Sequence, residues 1–235
     1  MSKFVFNRKF GASKSPTFHI LTVVKHMKKV LLTLIFGILI YSCSSTKIGN
    51  DKTKYFDDNN IEISKSKFNQ IRSTNKLLDI PGDSVNHKKL TLRENRGKVN
   101  DRKALELLLE KGLNQELDSN KPIVIIYYPG KDPCNSSGTT NKEWIRSWYG
   151  QLEEDLNQVA QVKPIYIYKE NDGLKKYDGI LEWKKDPEGI VEKSFFKYHY
   201  PCMSFVVISK DGDYISRFGE FGHPLVRKAL KEMNR

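Results

Sequence analysis

Cysteine is scarce in this chain of 235 residues, with three in all. No two of them are spaced as C-x-x-C, so neither a zinc ribbon nor a haem attachment site is indicated. Long apolar runs are also missing. The stretch from Val30 to Tyr41 has twelve residues, well short of the ~20 that a helix needs to cross a bilayer. No block of five or more like charges occurs, and no basic stripe is interleaved with aromatics, which argues against a nucleic-acid partner. Pro129-Gly130-Lys131 is no phosphate loop, because it lacks the upstream glycine and the following hydroxyl residue. No Ser/His/Asp constellation and no internal repeat is visible, and nothing calls for a cofactor.

Acidic side chains are absent from the first 42 residues, which hold seven lysines and arginines. Within that segment a short basic start, Met27-Lys28-Lys29, precedes the run from Val30 to Tyr41, as in a secretory signal. The run closes in Ile40-Tyr41-Ser42-Cys43, which resembles the lipobox of bacterial lipoproteins. Ile40 stands where that pattern usually has leucine, and Tyr41 is bulky. The resemblance implies lipidation of Cys43 and loss of residues 1–42, with an uncleaved amino-terminal anchor as the alternative. Translation is expected to start at Met27, a long basic leader being the other reading. Of the 40 basic residues, seven go with the signal. The remaining 33 face 28 acids, a net of +5 that suits a surface near anionic lipid headgroups.

Residues 43–99 are polar and read mostly as a tether, with short ordered pieces at Ile61–Ile63 and Lys89–Arg93. Residues 100–235 read as one folded domain. Asn100-Asp101 caps a helix with Gly112 as its stop. Pro122 to Tyr128 is apolar at consecutive positions, the mark of a strand buried on both faces. Thr140-x-x-Glu143 is a capping box opening a helix to about Ala160, on which Trp144, Trp148, Leu152, Leu156 and Val159 form a core stripe. Strands follow at 164–168, 204–209 and 214–217. One helix is expected from Asp186-Pro187 to about Tyr198, and another from His223-Pro224. The layer order is α/β.

That order resembles the thioredoxin fold over residues 101–235. The apolar strand, the loop ending Asp132-Pro133-Cys134, the long helix, the return strands, Gly219 and the terminal helix carry the resemblance. It implies a central mixed sheet of about four strands with helices on both faces. The family's nucleophilic cysteine position holds Lys131, and only the resolving position survives, as Cys134. Ser204 stands where the family has its cis-proline. With Cys43 lipidated, Cys134 and Cys202 form an even pair, expected as a disulfide or a redox couple, and the fold implies that their loops face each other.

Three functional readings follow. The first is a lipid-anchored, non-catalytic binding or structural module with a Cys134–Cys202 disulfide, its partner another envelope protein. The second is a thiol–disulfide oxidoreductase or thiol peroxidase using Cys134 and Cys202, with Lys131 lowering a thiol pKa. The third is copper binding by Cys134, Cys202, His199 and Met203. The lipobox resemblance, with Ser44 rather than aspartate after Cys43, implies a location in the bacterial cell envelope, expected on the outer membrane facing the periplasm.

Overall fold

The computed structural model describes residues 53–136 and 140–235. The expected signal segment 1–42 and Cys43 lie outside the described residues. In chain order, β1 (Lys54–Phe56), β2 (Glu62–Ile63), α1 (Lys65–Ser73), β3 (Leu77–Pro81) and β4 (His87–Leu92) come first. They build a small sheet of order β2-β1-β4-β3, parallel only between β1 and β4. The tether expected over 43–99 is therefore corrected for its described part. Its signal is faint because the layer is thin. Tyr55, Phe68 and Leu90 form its whole buried core, backed by Ile63, Ile71 and Leu77. Such a layer gains little from burial by itself. Leu78 and Ile80 of β3 instead enter the larger core of the domain. Helix α1 starts where the Ser64 hydroxyl accepts from the Lys67 N–H.

The larger sheet has the order β5-β10-β9-β6-β7-β8. Its strands are β5 (Glu94–Lys98), β6 (Ile123–Tyr128), β7 (Ile165–Tyr168), β8 (Trp183–Lys185), β9 (Ser204–Ile208) and β10 (Asp213–Arg217). The pairs β6–β7 and β7–β8 are parallel, and the rest are antiparallel. The domain is thus mixed α/β, with six strands in this sheet rather than about four. The two additional strands are edges. Gly97 and four polar side chains make up β5, and an edge needs no apolar alternation to pair.

Strand β6 explains the two-layered core. Ile123, Ile125 and Tyr127 face one side and Val124, Ile126 and Tyr128 the other, all of them buried. On the first side pack Leu105, Leu109 and Leu113 of α2 (Arg102–Leu113), with Val191, Phe195 and Phe196. On the second pack α4 (Lys142–Ala160), through Ile145, Tyr149, Leu152 and Leu156, and α6 (His223–Met233), through Val226, Ala229 and Leu230.

Several helix ends differ from expectation. Helix α2 runs through Gly112 and stops at Asn114, which takes the left-handed conformation. Gly112 serves close packing instead, since a Cβ there would come within 2.4 Å of Pro187. Helix α4 is capped by Asn141, whose side chain accepts from Trp144 N–H, not by Thr140. The helix expected from Asp186-Pro187 breaks at Glu188, where φ is +52°. Only α5 (Ile190–Phe195) continues beyond it. Asp186 holds that helix by accepting from the N–H groups of Val191 at 3.0 Å and Glu192 at 2.9 Å. No helix among the described residues is long and apolar enough to cross a membrane.

Candidate functional site

At its carboxyl end β6 runs into Pro129 and Gly130, the latter at φ +123°, a conformation glycine enters without a Cβ clash. The chain then makes one helical turn, α3 (Pro133–Ser136), separate from α4. Proline at its first position fits the missing N–H. Cys134 lies in this turn. On the facing side, Tyr200 stacks on Phe218 at 4.2 Å between ring centroids and anchors the segment entering β9. That segment carries Cys202, which sits at φ +67°, uncommon for a residue with a Cβ. Cys134 and Cys202 are joined by a disulfide with their Cα atoms 5.1 Å apart, across 68 positions of sequence. Both are half-buried. Closing a loop of that length stabilises the fold by about 4 kcal/mol in the chain-entropy account.

Two polar side chains hold the bridge in place. Asp132 Oδ1 accepts from Asn135 N–H at 2.8 Å, while Asn135 Oδ1 accepts from Asp132 N–H at 2.9 Å. This reciprocal cap closes the turn around Cys134. The other carboxylate oxygen of Asp132 accepts from Cys202 N–H at 2.9 Å and lies 3.3 Å from His199 Nε2. Asn135 is buried, and its amide donates to Gly130 O at 2.7 Å and to Cys202 O at 3.4 Å. Lys176 Nζ donates to Asn135 O at 2.8 Å, and partial burial lowers the pKa of that amine. Tyr128 donates to Asp172 O at 2.7 Å, and burial pushes its phenol up to about 12. Asp132 and Asn135 thus each carry a hydrogen bond from one cysteine loop to the other, beside the disulfide itself.

Beside the bridge lies an open groove of about 230 Å³, walled by Trp144, Trp148, Met203, Phe221, Glu220 and Cys202. Trp144 was expected in the core but is 54% exposed, and Trp148 is half-buried. The α4 face turns with the true helical period, so that Ile145 and Tyr149 take the core positions ahead of Leu152. Tyr149 is buried, which holds its phenol well above its ordinary pKa, and its hydroxyl lies 3.3 Å from Met203 Sδ.

The side chains read from the sequence separate here. Cys134 and Cys202 are brought together. Lys131 is exposed, and its Cβ and Cγ lie beside Gly173. His199 turns to Asp132 and Met203 to Tyr149. Around the two sulfurs the ligand-bearing group among the described residues is instead Cys134, Cys202 and Glu220, with ligand atoms within 4.8 Å of one another. Glu220 and Asn135 were not picked out from sequence, and Asp132 was read only as part of the loop leading to Cys134. Asp132-x-x-Asn135 does carry a signal, the spacing of a reciprocal cap. Glu220 carries none, because its place depends on how β10 meets the loop of Cys202. Comparison with protein-family models found no match, and comparison with curated proteins found none either.

Proposed function

We propose that this chain is a lipid-anchored, thioredoxin-like protein of the bacterial cell envelope. Its folded domain is a non-catalytic binding or structural module, and the Cys134–Cys202 disulfide is its staple. The observation that carries this reading is the Glu220 carboxylate, within 4.8 Å of both sulfurs. A thiolate formed there would face a like charge, which disfavours it, whereas exchange chemistry requires the thiolate. The Asp132 carboxylate lies two residues before Cys134 and on the N–H of Cys202, adding to the same negative field. Lys131 is exposed with its stem beside Gly173, and the cation lining the same groove, Lys176, is bonded to Asn135 O.

The thioredoxin-like reading is supported by the parallel β6–β7 pair, the antiparallel β9–β10 pair and the helices on both faces. Support for the lipid anchor comes from the sequence around Cys43. The aromatic groove beside the bridge gives the module a place to hold a second envelope protein.

The test is a redox titration of the full chain, with the free thiols alkylated and counted by mass spectrometry at each potential. A bridge still oxidised below about −300 mV supports the structural reading. A bridge titrating between about −120 and −270 mV, with turnover of a disulfide or peroxide substrate, would replace it by the oxidoreductase reading. Mass analysis of the amino-terminal peptide from membranes checks for lipid on Cys43.

A further inference from the structure

We propose that reduction of the bridge turns Cys134, Cys202 and Glu220 into a zinc site. The three ligands come from three separate segments: the turn after β6, the lead into β9 and the loop after β10. Their ligand atoms already lie within 4.8 Å of one another. Glu220 is exposed and makes no hydrogen bond among the described residues, and the one charge it is seen to act on is that of Arg93. Two thiolates on one tetrahedral zinc, each at ~2.3 Å, stand about 3.8 Å apart. Each sulfur need move only about 1 Å from its place in a disulfide of ordinary length. The Cα separation of 5.1 Å can stay as it is.

The negative field that opposes a free thiolate favours a cation. Glu220 supplies a ligand, and Asp132, with His199 on its outer oxygen, fixes the backbone at Cys202 in a supporting role. Thiolates disfavour calcium and magnesium. A carboxylate alongside two sulfurs suits divalent zinc better than monovalent copper, with water completing the fourth position. The chemistry balances with a dithiol as reductant. The dithiol gives two electrons and two protons and closes to its own disulfide. The Cys134–Cys202 bond breaks into two thiols, and zinc displaces both protons to solvent as two Zn–S bonds form. This inference does not rest on envelope location or on the module's partner.

The experiment uses the full chain carrying Cys43→Ser, so that the pair supplies all the thiols. The protein is reduced with a dithiol, freed of it without oxygen, and titrated with Zn²⁺ against a chromophoric chelator. Co²⁺ serves as the spectroscopic stand-in. The reduced protein is expected to bind one zinc per chain and to show a thiolate-to-cobalt charge-transfer band, while the oxidised protein does neither. Glu220→Gln keeps both cysteines and should weaken zinc binding by about tenfold or more, while air still restores the disulfide. Cys134→Ser should lose the cobalt band. Equal zinc binding by the oxidised and reduced forms, or by the reduced parent and Glu220→Gln, would overturn the proposal. So would a reduced protein that leaves all the zinc with the chelator.

Discussion

Asp132 reaches from the turn after β6 to the backbone N–H of Cys202, 2.9 Å away, and so ties together the two loops that the disulfide also joins. Its carboxylate satisfies a second backbone donor, that of Asn135, inside the turn itself. The side chain is 8% exposed, so water cannot readily take over either bond. Asp132→Ala should then leave two partly buried N–H groups short of an acceptor and cost about 2–4 kcal/mol. Asp132→Asn keeps one acceptor oxygen and should cost less. Urea unfolding with the disulfide intact measures both. Equal stability of the alanine variant and the parent would mean that the disulfide alone orders the Cys202 loop.

The sequence was legible where burial is two-sided or period-specific. Ile123 to Tyr128 announces the central strand because every position must be apolar when both faces are covered. The cysteine pair was readable by counting, and the fold joins it. What stayed hidden needs little or no apolar pattern. Strand β5, with Gly97 next to its last residue, forms because β10 offers a free edge, and the Tyr214 ring lies over the space that a side chain at Gly97 would fill. The small sheet and α1 bury three side chains between them, Tyr55, Leu90 and Phe68, while Leu78 and Ile80 of β3 enter the larger core. Trp144 misled for the opposite reason. Its spacing places it on the apolar side of α4, but that side is wider than the core it meets and opens into the groove. Glu220 reaches the sulfurs only through tertiary packing.

A second prediction concerns Arg102 and Glu106, one turn apart on α2 and paired with side chains 9% and 8% exposed. The guanidinium also donates to Ser209 O at 3.0 Å and to Lys121 O at 2.9 Å, so it pins the helix to the ends of β9 and β6. Removing one partner strands a buried charge. Arg102→Leu should destabilise by about 3–5 kcal/mol. Combining it with Glu106→Leu should recover part of that loss, but not all, because Lys121 O loses its donor while Ser209 O keeps only the bond from Gly212 N–H. A double-mutant cycle in urea reads the coupling. Additive single and double variants would show that the two side chains act independently.

The third prediction is a pH dependence set by His223 at the start of α6. Its ring meets Trp148 edge-on at 4.2 Å between centroids, and its buried Nε2 has no partner among the described residues. Burial lowers its pKa, with Asp155 and a hydrogen bond to the Trp148 backbone opposing the shift. The folded state therefore favours neutral imidazole, and the unfolded chain binds the proton more readily. Above the unfolded value of about 6.5 the residue has no effect on stability. As pH falls through that value the unfolded state gains protons that the folded state refuses, so stability falls until the folded pKa is passed, and then levels. Thermal unfolding followed by tryptophan fluorescence between about pH 7.5 and 5 should show a declining midpoint in the parent. His223→Gln, which cannot titrate, should flatten that decline while carboxylate effects at lower pH persist. An unchanged slope in the variant would assign the decline to another group and leave the Trp148 contact a packing feature alone.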